Sequence, residues 1–521
     1  MKVMRKKFFS LSVAFCLILV FFLSWRYFSP KTSSTSNSAV LAQQLNLDWP
    51  QLQRDPNHSG YVPQTVIPPY TKLWHVRYKI SSRVQPIIAQ GLIFIPSNDG
   101  KLYALRIQNG SEAWSYQTQG PLVNTVAYDN GRVFFGSTDH YVYALNASNG
   151  SLIWKYQTGD TVKTAPVVAQ NTIYIGSSDG YFYALDALTT NPNGRLIWRY
   201  YVGAPIYDVA AYDNGKVFFG GMDAKGYALD ASNGNLLWSI QTRGQGFRDR
   251  WTVAGNGKVF FTPMLQESSW EALESGTSMF YENSNPVIYN QPWSVQKEAI
   301  LNHLAAYPYR QPLYVVNQDT GQIPFTPPVL YTSGGSQSPH SQVVLLPNGN
   351  ANVIYRRSFG EVAKFGKTTS DAIYTGELDL ASGDILPVDT CDFSGRGWAG
   401  CGYYKSAFIT DESSTLVRSG QVIYLDTSRG TYGLDTANRQ MLPTLACYAG
   451  DTGFPFYSPD CFIAFDDYAL SETKGWLIDY SDILMEVDSD GNDIKRPTPI
   501  VGDTFYILNY GLLIAVRGTI R

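Results

Sequence analysis

Trp74, Trp114, Trp154, Trp198 and Trp238 stand 40, 40, 44 and 40 residues apart, and Gly110, Gly150, Gly194 and Gly234 each precede the next tryptophan in a Gly-x-x-x-Trp pattern. A period near 40 residues confines a chain to repeat architectures, because one such unit cannot bury both of its faces alone. Between the tryptophans, runs such as VVA, IYIG and YFYAL alternate apolar and polar residues, and turn signals at Gln170-Asn171 and Asp179-Gly180 separate them. Alternation with period two between tight turns reads as strands, four to a unit. These are the blades of a β-propeller, and the five tryptophans are expected to pack between neighbouring blades. The four extra residues of the 44-residue unit fall in TTNPNG, a turn that tolerates insertion.

The pattern continues through VAGNGKVFFTPM, is interrupted over 265–312, and resumes at LYVVNQDTG, IYTGELDLASGDI, VIYLDTSRGTYGLDTANR and TPIVGDTFYILNYGLLIAV. Counting these gives an all-β fold of eight blades, with seven as the alternative. Within the interruption, WSVQKEAILNHLAAY has the spacing of a short helix, expected to cap one face. GNGK at 255–258 has neither the length nor the following helix of a phosphate loop and reads as a hairpin turn.

The N-terminus differs. Basic residues in 1–7 precede an uncharged apolar run over 8–25, closed by Arg26. That is a transmembrane anchor or a signal segment, and the distance to the first small-residue site favours an anchor. The positive-inside rule then places the rest of the chain on the periplasmic or extracellular side of a single-pass membrane protein. The Ser- and Thr-rich stretch 26–48 reads as a flexible tether, and the propeller occupies 49–521.

Cys391, Cys401, Cys447 and Cys461 fall in the part expected to meet an oxidising compartment, and their even number points to two structural disulfides. Three pairings are open; the two local ones cost least in loop closure. A net charge of −3 and a pI near 6.0 supply no basic field for nucleic acid. The five histidines show no metal-ligand spacing, and no G-x-S-x-G appears. Hydrolase and zinc chemistry therefore lack a motif.

Trp154, Pro166-Val167-Val168, Tyr174-Ile175-Gly176 and Tyr183-Ala184-Leu185-Asp186 together resemble the repeat of the pyrroloquinoline-quinone (PQQ) type, most clearly over 74–262. WPQLQRDPNHSGY at 49–61 is similar to the lead-in many members carry before their first blade. The resemblance implies an eight-bladed propeller. For function it implies two branches: quinoprotein dehydrogenases using PQQ and calcium to oxidise alcohols or sugars, and cofactor-free scaffolds of the BamB type that bind protein partners. The adjacent cysteines that the alcohol-oxidising enzymes carry over their cofactor are missing here. The expectation is therefore a non-catalytic binding or scaffold module at the cell envelope, with no cofactor, and a PQQ- and calcium-dependent oxidoreductase as the alternative.

Aligned units place Arg83, Lys163, Asp208, Asp249 and Arg250 just before the innermost strands. Charges of both signs thus gather at one channel mouth, where a small anionic or peptide ligand would find partners. No catalytic or metal-ligating residue is assigned.

Overall fold

The computed structural model describes residues 48–77, 84–244, 246–264, 293–329, 343–356, 373–387, 415–427, 430–438, 440–442, 446–447, 498–509 and 512–521. The anchor and tether over 1–47, Arg83, Cys391, Cys401 and Cys461 lie outside them. Among the described residues no helix is long and apolar enough to cross a membrane.

Eight sheets form the blades of a propeller. Blades 1 to 4 span 87–117, 127–157, 167–201 and 211–241, each with four antiparallel strands in sequence order from the inner strand outward. Blades 5, 6 and 7 follow at 253–317, 343–387 and 415–447. Blade 8 joins the two ends of the folded chain. Its inner strands, Ile500–Val501, Thr504–Asn509 and Leu512–Ile520, take their outermost partner from Val66–Arg77, with Trp74 opposite Ala515. The sequence repeat is therefore offset from the blade by one strand, since each tryptophan strand hydrogen-bonds to the unit before it. That offset lets the first tryptophan strand close the ring on the last blade.

The blade boundaries are aromatic. Trp114 is buried with Phe94 and Leu102 of blade 1 and Phe135 and Tyr143 of blade 2. Its indole N–H donates to the Ala147 carbonyl at 3.0 Å, and Trp74, Trp198 and Trp238 donate likewise to Ile107, Ala231 and Gln318 at 2.9 to 3.0 Å. The turn glycine of the next blade lies flat against each ring. A methyl group on Gly150, whose φ is +72°, would sit 2.5 Å from Trp114 Cε3, so only glycine fits both the turn and the approach.

Each blade shows one end to each face of the propeller. Turns joining first to second and third to fourth strands meet on one face, as where Ala147 N–H donates to Gly131 at 2.9 Å. The turns joining second to third strands lie on the other face, where Leu122, Val162 and Ile206 N–H donate to Ser97, Ser137 and Ser177 at 3.1 Å. Residue 48 is on the first of these, the proximal face, beside the Gln90-Gly91 turn. On the distal face, Tyr103, Tyr143, Tyr183 and Tyr227 donate to Asp99, Asp139, Asp179 and Asp223 at 2.5 to 2.7 Å.

Among the described residues blade 5 has three strands. Where the fourth is due, Pro324, Pro327 and Pro328 offer no N–H to a ladder. A helix, α1, runs over Trp293–Ala306 as the spacing predicts. It buries Ile300 and Leu304, and Lys297 is ion-paired to Asp384 in a blade 6 turn. The 255–258 stretch is a hairpin turn, with Asn256 and Gly257 at positive φ.

Candidate functional site

The inner strands leave one edge of every blade facing the channel, and unpaired backbone there must find partners. Residues 49–62 supply them. Trp49 exchanges two backbone hydrogen bonds with Ile88 of blade 1, and Pro50 accepts from Tyr128 of blade 2. The Gln51 side chain bonds both backbone groups of Val168 in blade 3, at 2.9 and 3.0 Å. Pro56, Asn57, Ser59 and Gly60 then accept from Tyr212, Ala254, Leu345 and Arg418 of blades 4 to 7, at 2.7 to 3.1 Å. Tyr61–Val62 finally pairs in parallel with the inner strand of blade 7. The segment is a strap that visits seven blades in order before entering blade 8.

Its own turns hold it in shape. Gly60 N–H reaches the Gln53 carbonyl at 3.1 Å, and Asp55 accepts from the Ser59 amide at 2.7 Å and from its hydroxyl. Burial raises the Asp55 carboxyl, against the lowering by those Ser59 bonds. Gln53 and His58, both fully buried, face the mouth: Gln53 N–H donates to Gln85 Oε1 at 2.7 Å, and His58 Nδ1 lies 2.7 Å from the Thr252 carbonyl.

Above that floor, polar side chains tie neighbouring blades together. Thr125 Oγ1 donates to the Gln85 carbonyl at 3.1 Å and Asn124 Nδ2 to the Lys163 carbonyl at 3.0 Å. Asp208, 1% exposed, accepts from Gly220 N–H at 2.9 Å and the Thr252 hydroxyl at 2.7 Å. Its strand, Tyr207–Val209, pairs in parallel with Arg248–Trp251, the strand that carries Asp249 and Arg250. Lys163 is exposed, with Nζ 5.5 Å from the centre of the Tyr207 ring. The structure thus gathers Lys163, Asp208 and the 249–250 backbone where blades 3, 4 and 5 meet. Asp208 is a buried tie between blades 4 and 5, and Lys163 remains at the surface. Cys447 is on a two-residue strand, Ala446–Cys447, beside Gly430–Asp435.

Calcium takes six to eight oxygen ligands, several of them carboxylates. Among the described residues no group of three or more His, Cys, Asp and Glu converges on a metal position.

A family model described as "Outer membrane protein assembly factor BamB" matches residues 70–125, 117–191 and 188–274. The chain is a PQQ-like β-propeller. Among the solved structures that share this fold are quinohemoprotein alcohol dehydrogenases from Comamonas testosteroni and Pseudomonas putida. The first is 12% identical, with a TM-score of 0.53 over 91% of this chain and 81% of that one. The second is also 12% identical, with a TM-score of 0.51 over 93% and 82%. BamB from Moraxella catarrhalis is 13% identical, with a TM-score of 0.49 over 86% of this chain and 99% of its own. No curated protein matches the sequence.

The strap was not legible in advance. Its signal is a run of buried polar side chains, Gln51, Gln53 and His58, in a segment without strand periodicity.

Proposed function

We propose that this PQQ-like propeller is a non-catalytic binding or scaffold module, held at the cell envelope by the apolar segment 8–25 and displayed on the periplasmic or extracellular side for protein partners. The observation that supports this reading is the strap. In quinoprotein chemistry the propeller axis would carry the cofactor, whereas here the chain's own residues 49–62 pair with the inner strands of seven blades. Buried polar groups at the mouth, Asp208 foremost, are engaged in blade-to-blade hydrogen bonds. Ligand recognition then falls to the mouth and the variable turns around it, with exposed Lys163 and, as proposed contacts, Arg83, Asp249 and Arg250. In the same reading Cys391, Cys401, Cys447 and Cys461 form two disulfides, which a non-reduced digest would reveal as two linked peptide pairs.

The test is photo-crosslinking in intact cells from a reactive residue at position 163, with and without Arg250→Ala. Discrete protein adducts that weaken in the variant are the expected result. Absence of any protein adduct from position 163, together with substrate-dependent dye reduction after PQQ and calcium are supplied, would favour the oxidoreductase instead.

A further inference from the structure

We infer that the propeller rests on the lipid bilayer through the proximal ends of the outer strands of blades 2, 3 and 4. This rests on the anchor reading above. The three strands are Leu152–Gln157, Leu196–Tyr201 and Leu236–Gln241. Each begins at the proximal face with exposed aliphatic residues: Leu152 is 44% exposed, Leu196 and Ile197 36% and 42%, Leu236 and Leu237 45% and 44%. The distal ends carry exposed Gln157, Tyr201 and Gln241. One exposed leucine needs no explanation, but the same position in three consecutive blades, at one end of the strand only, forms a stripe.

Charge on these strands has one sign. They contain Lys155 and Arg199 and no Asp or Glu, and Arg195, 64% exposed and paired with Asp186 at 3.0 Å, directly precedes Leu196. Aliphatic side chains flanked by cations and tyrosines suit the boundary between acyl chains and anionic headgroups. The point where the chain leaves the described propeller agrees. Asp48 is on the proximal face, next to Trp49 on blade 1 and Pro50 on blade 2. On the tether reading of 26–47, a random coil of that length would span roughly 25 Å and hold this face within reach of the membrane.

The test reconstitutes the full chain into vesicles of phosphatidylethanolamine and phosphatidylglycerol, with Leu236→benzoylphenylalanine or, as the distal control, Gln241→benzoylphenylalanine. After irradiation, mass spectrometry should find several-fold more lipid adduct at position 236 than at 241. Adding Leu196→Gln and Leu237→Gln should lower that adduct several-fold while the chain stays on the vesicles. Equal adducts at the two positions, or adducts at 236 to protein in place of lipid, would overturn the inference and assign the stripe to a second copy or another protein. A chain that an alkaline carbonate wash strips from the vesicles refutes the anchor reading, and this proposal with it. A chain that survives the wash but gives no lipid adduct at 236 refutes the stripe alone.

Discussion

Phe325 packs against Gly383 as each tryptophan packs against the turn glycine of the following blade: a methyl group on Gly383 would lie 2.6 Å from Phe325 Cδ2. The equivalent pairs are Trp74 with Gly110, Trp114 with Gly150, Trp198 with Gly234 and Trp238 with Gly321, at 2.5 to 2.8 Å. The boundary between blades 5 and 6 keeps the contact although its tryptophan is replaced and its strand is broken by prolines. What these boundaries share is therefore an aromatic ring against a backbone that has no Cβ.

Gly150→Ala should lower stability by about 2–4 kcal/mol, combining overpacking against Trp114 with a left-handed φ. Gly131→Ala, at φ +77° with open space around it, should cost only about 1 kcal/mol. Denaturant unfolding of the two variants checks the difference, and equal losses would mean that the ring contact contributes nothing.

Trp154 is the exception among the five tryptophans of the repeat. It is fully buried, and its N–H has no hydrogen-bond partner among the described residues. The longer turn of blade 3 changes the geometry there, and Arg132 Nη1 takes the Ala187 carbonyl at 2.7 Å and Thr189 at 2.9 Å. Trp154→Phe should thus be milder than Trp114→Phe, which strands the Ala147 carbonyl, by about 1–2 kcal/mol. Paired thermal unfolding curves measure it.

Gln51→Leu removes both hydrogen bonds to Val168 and leaves two buried backbone groups without partners, a cost of about 2–4 kcal/mol. Hydrogen exchange should show the loss at the Val168 amide first. Unchanged protection there would mean the strap is not seated in blade 3.

Alkaline pH should unfold the protein. Burial pushes Tyr70 and Tyr174 up to about 12. It also raises Tyr103, Tyr143, Tyr183 and Tyr227, with a further rise from the hydrogen bond each donates to its aspartate. An unfolded phenol loses its proton near 10, so above that pH the unfolded chain binds fewer protons than the folded one. Stability is complete below pH 10 and falls as pH rises toward the folded values. Phenolate absorbance should therefore appear together with loss of near-UV dichroism; full ionisation of these tyrosines with the dichroism intact would contradict the assignment.

Much of this fold was legible because propeller blades write themselves locally. The 40-residue spacing, the Asp-Gly and Asn-Gly turns and the alternating strands predicted blades 1 to 4, and the spacing around Leu301 predicted α1. The partnership of Trp74 with Ala515 was not legible, since nothing near either residue reports a contact across the whole chain. Phe325 was not legible because it stands where the repeat otherwise carries an indole. At the mouth, Lys163 lies beside the Tyr207 ring, and Asp208 is buried between Gly220 and Thr252, a placement that its charge does not report. The strap was opaque for a related reason: its partners are set by channel geometry, and Gln51 finds Val168 at a separation of 117 residues.

The most direct test of the binding-module reading is calorimetric titration of the full chain, in detergent, with PQQ in the presence of calcium. No stoichiometric heat, no shift in thermal unfolding and no dye reduction with alcohols or sugars are expected. One equivalent of PQQ taken up, with substrate-dependent dye reduction, would contradict that reading and make the channel an active site.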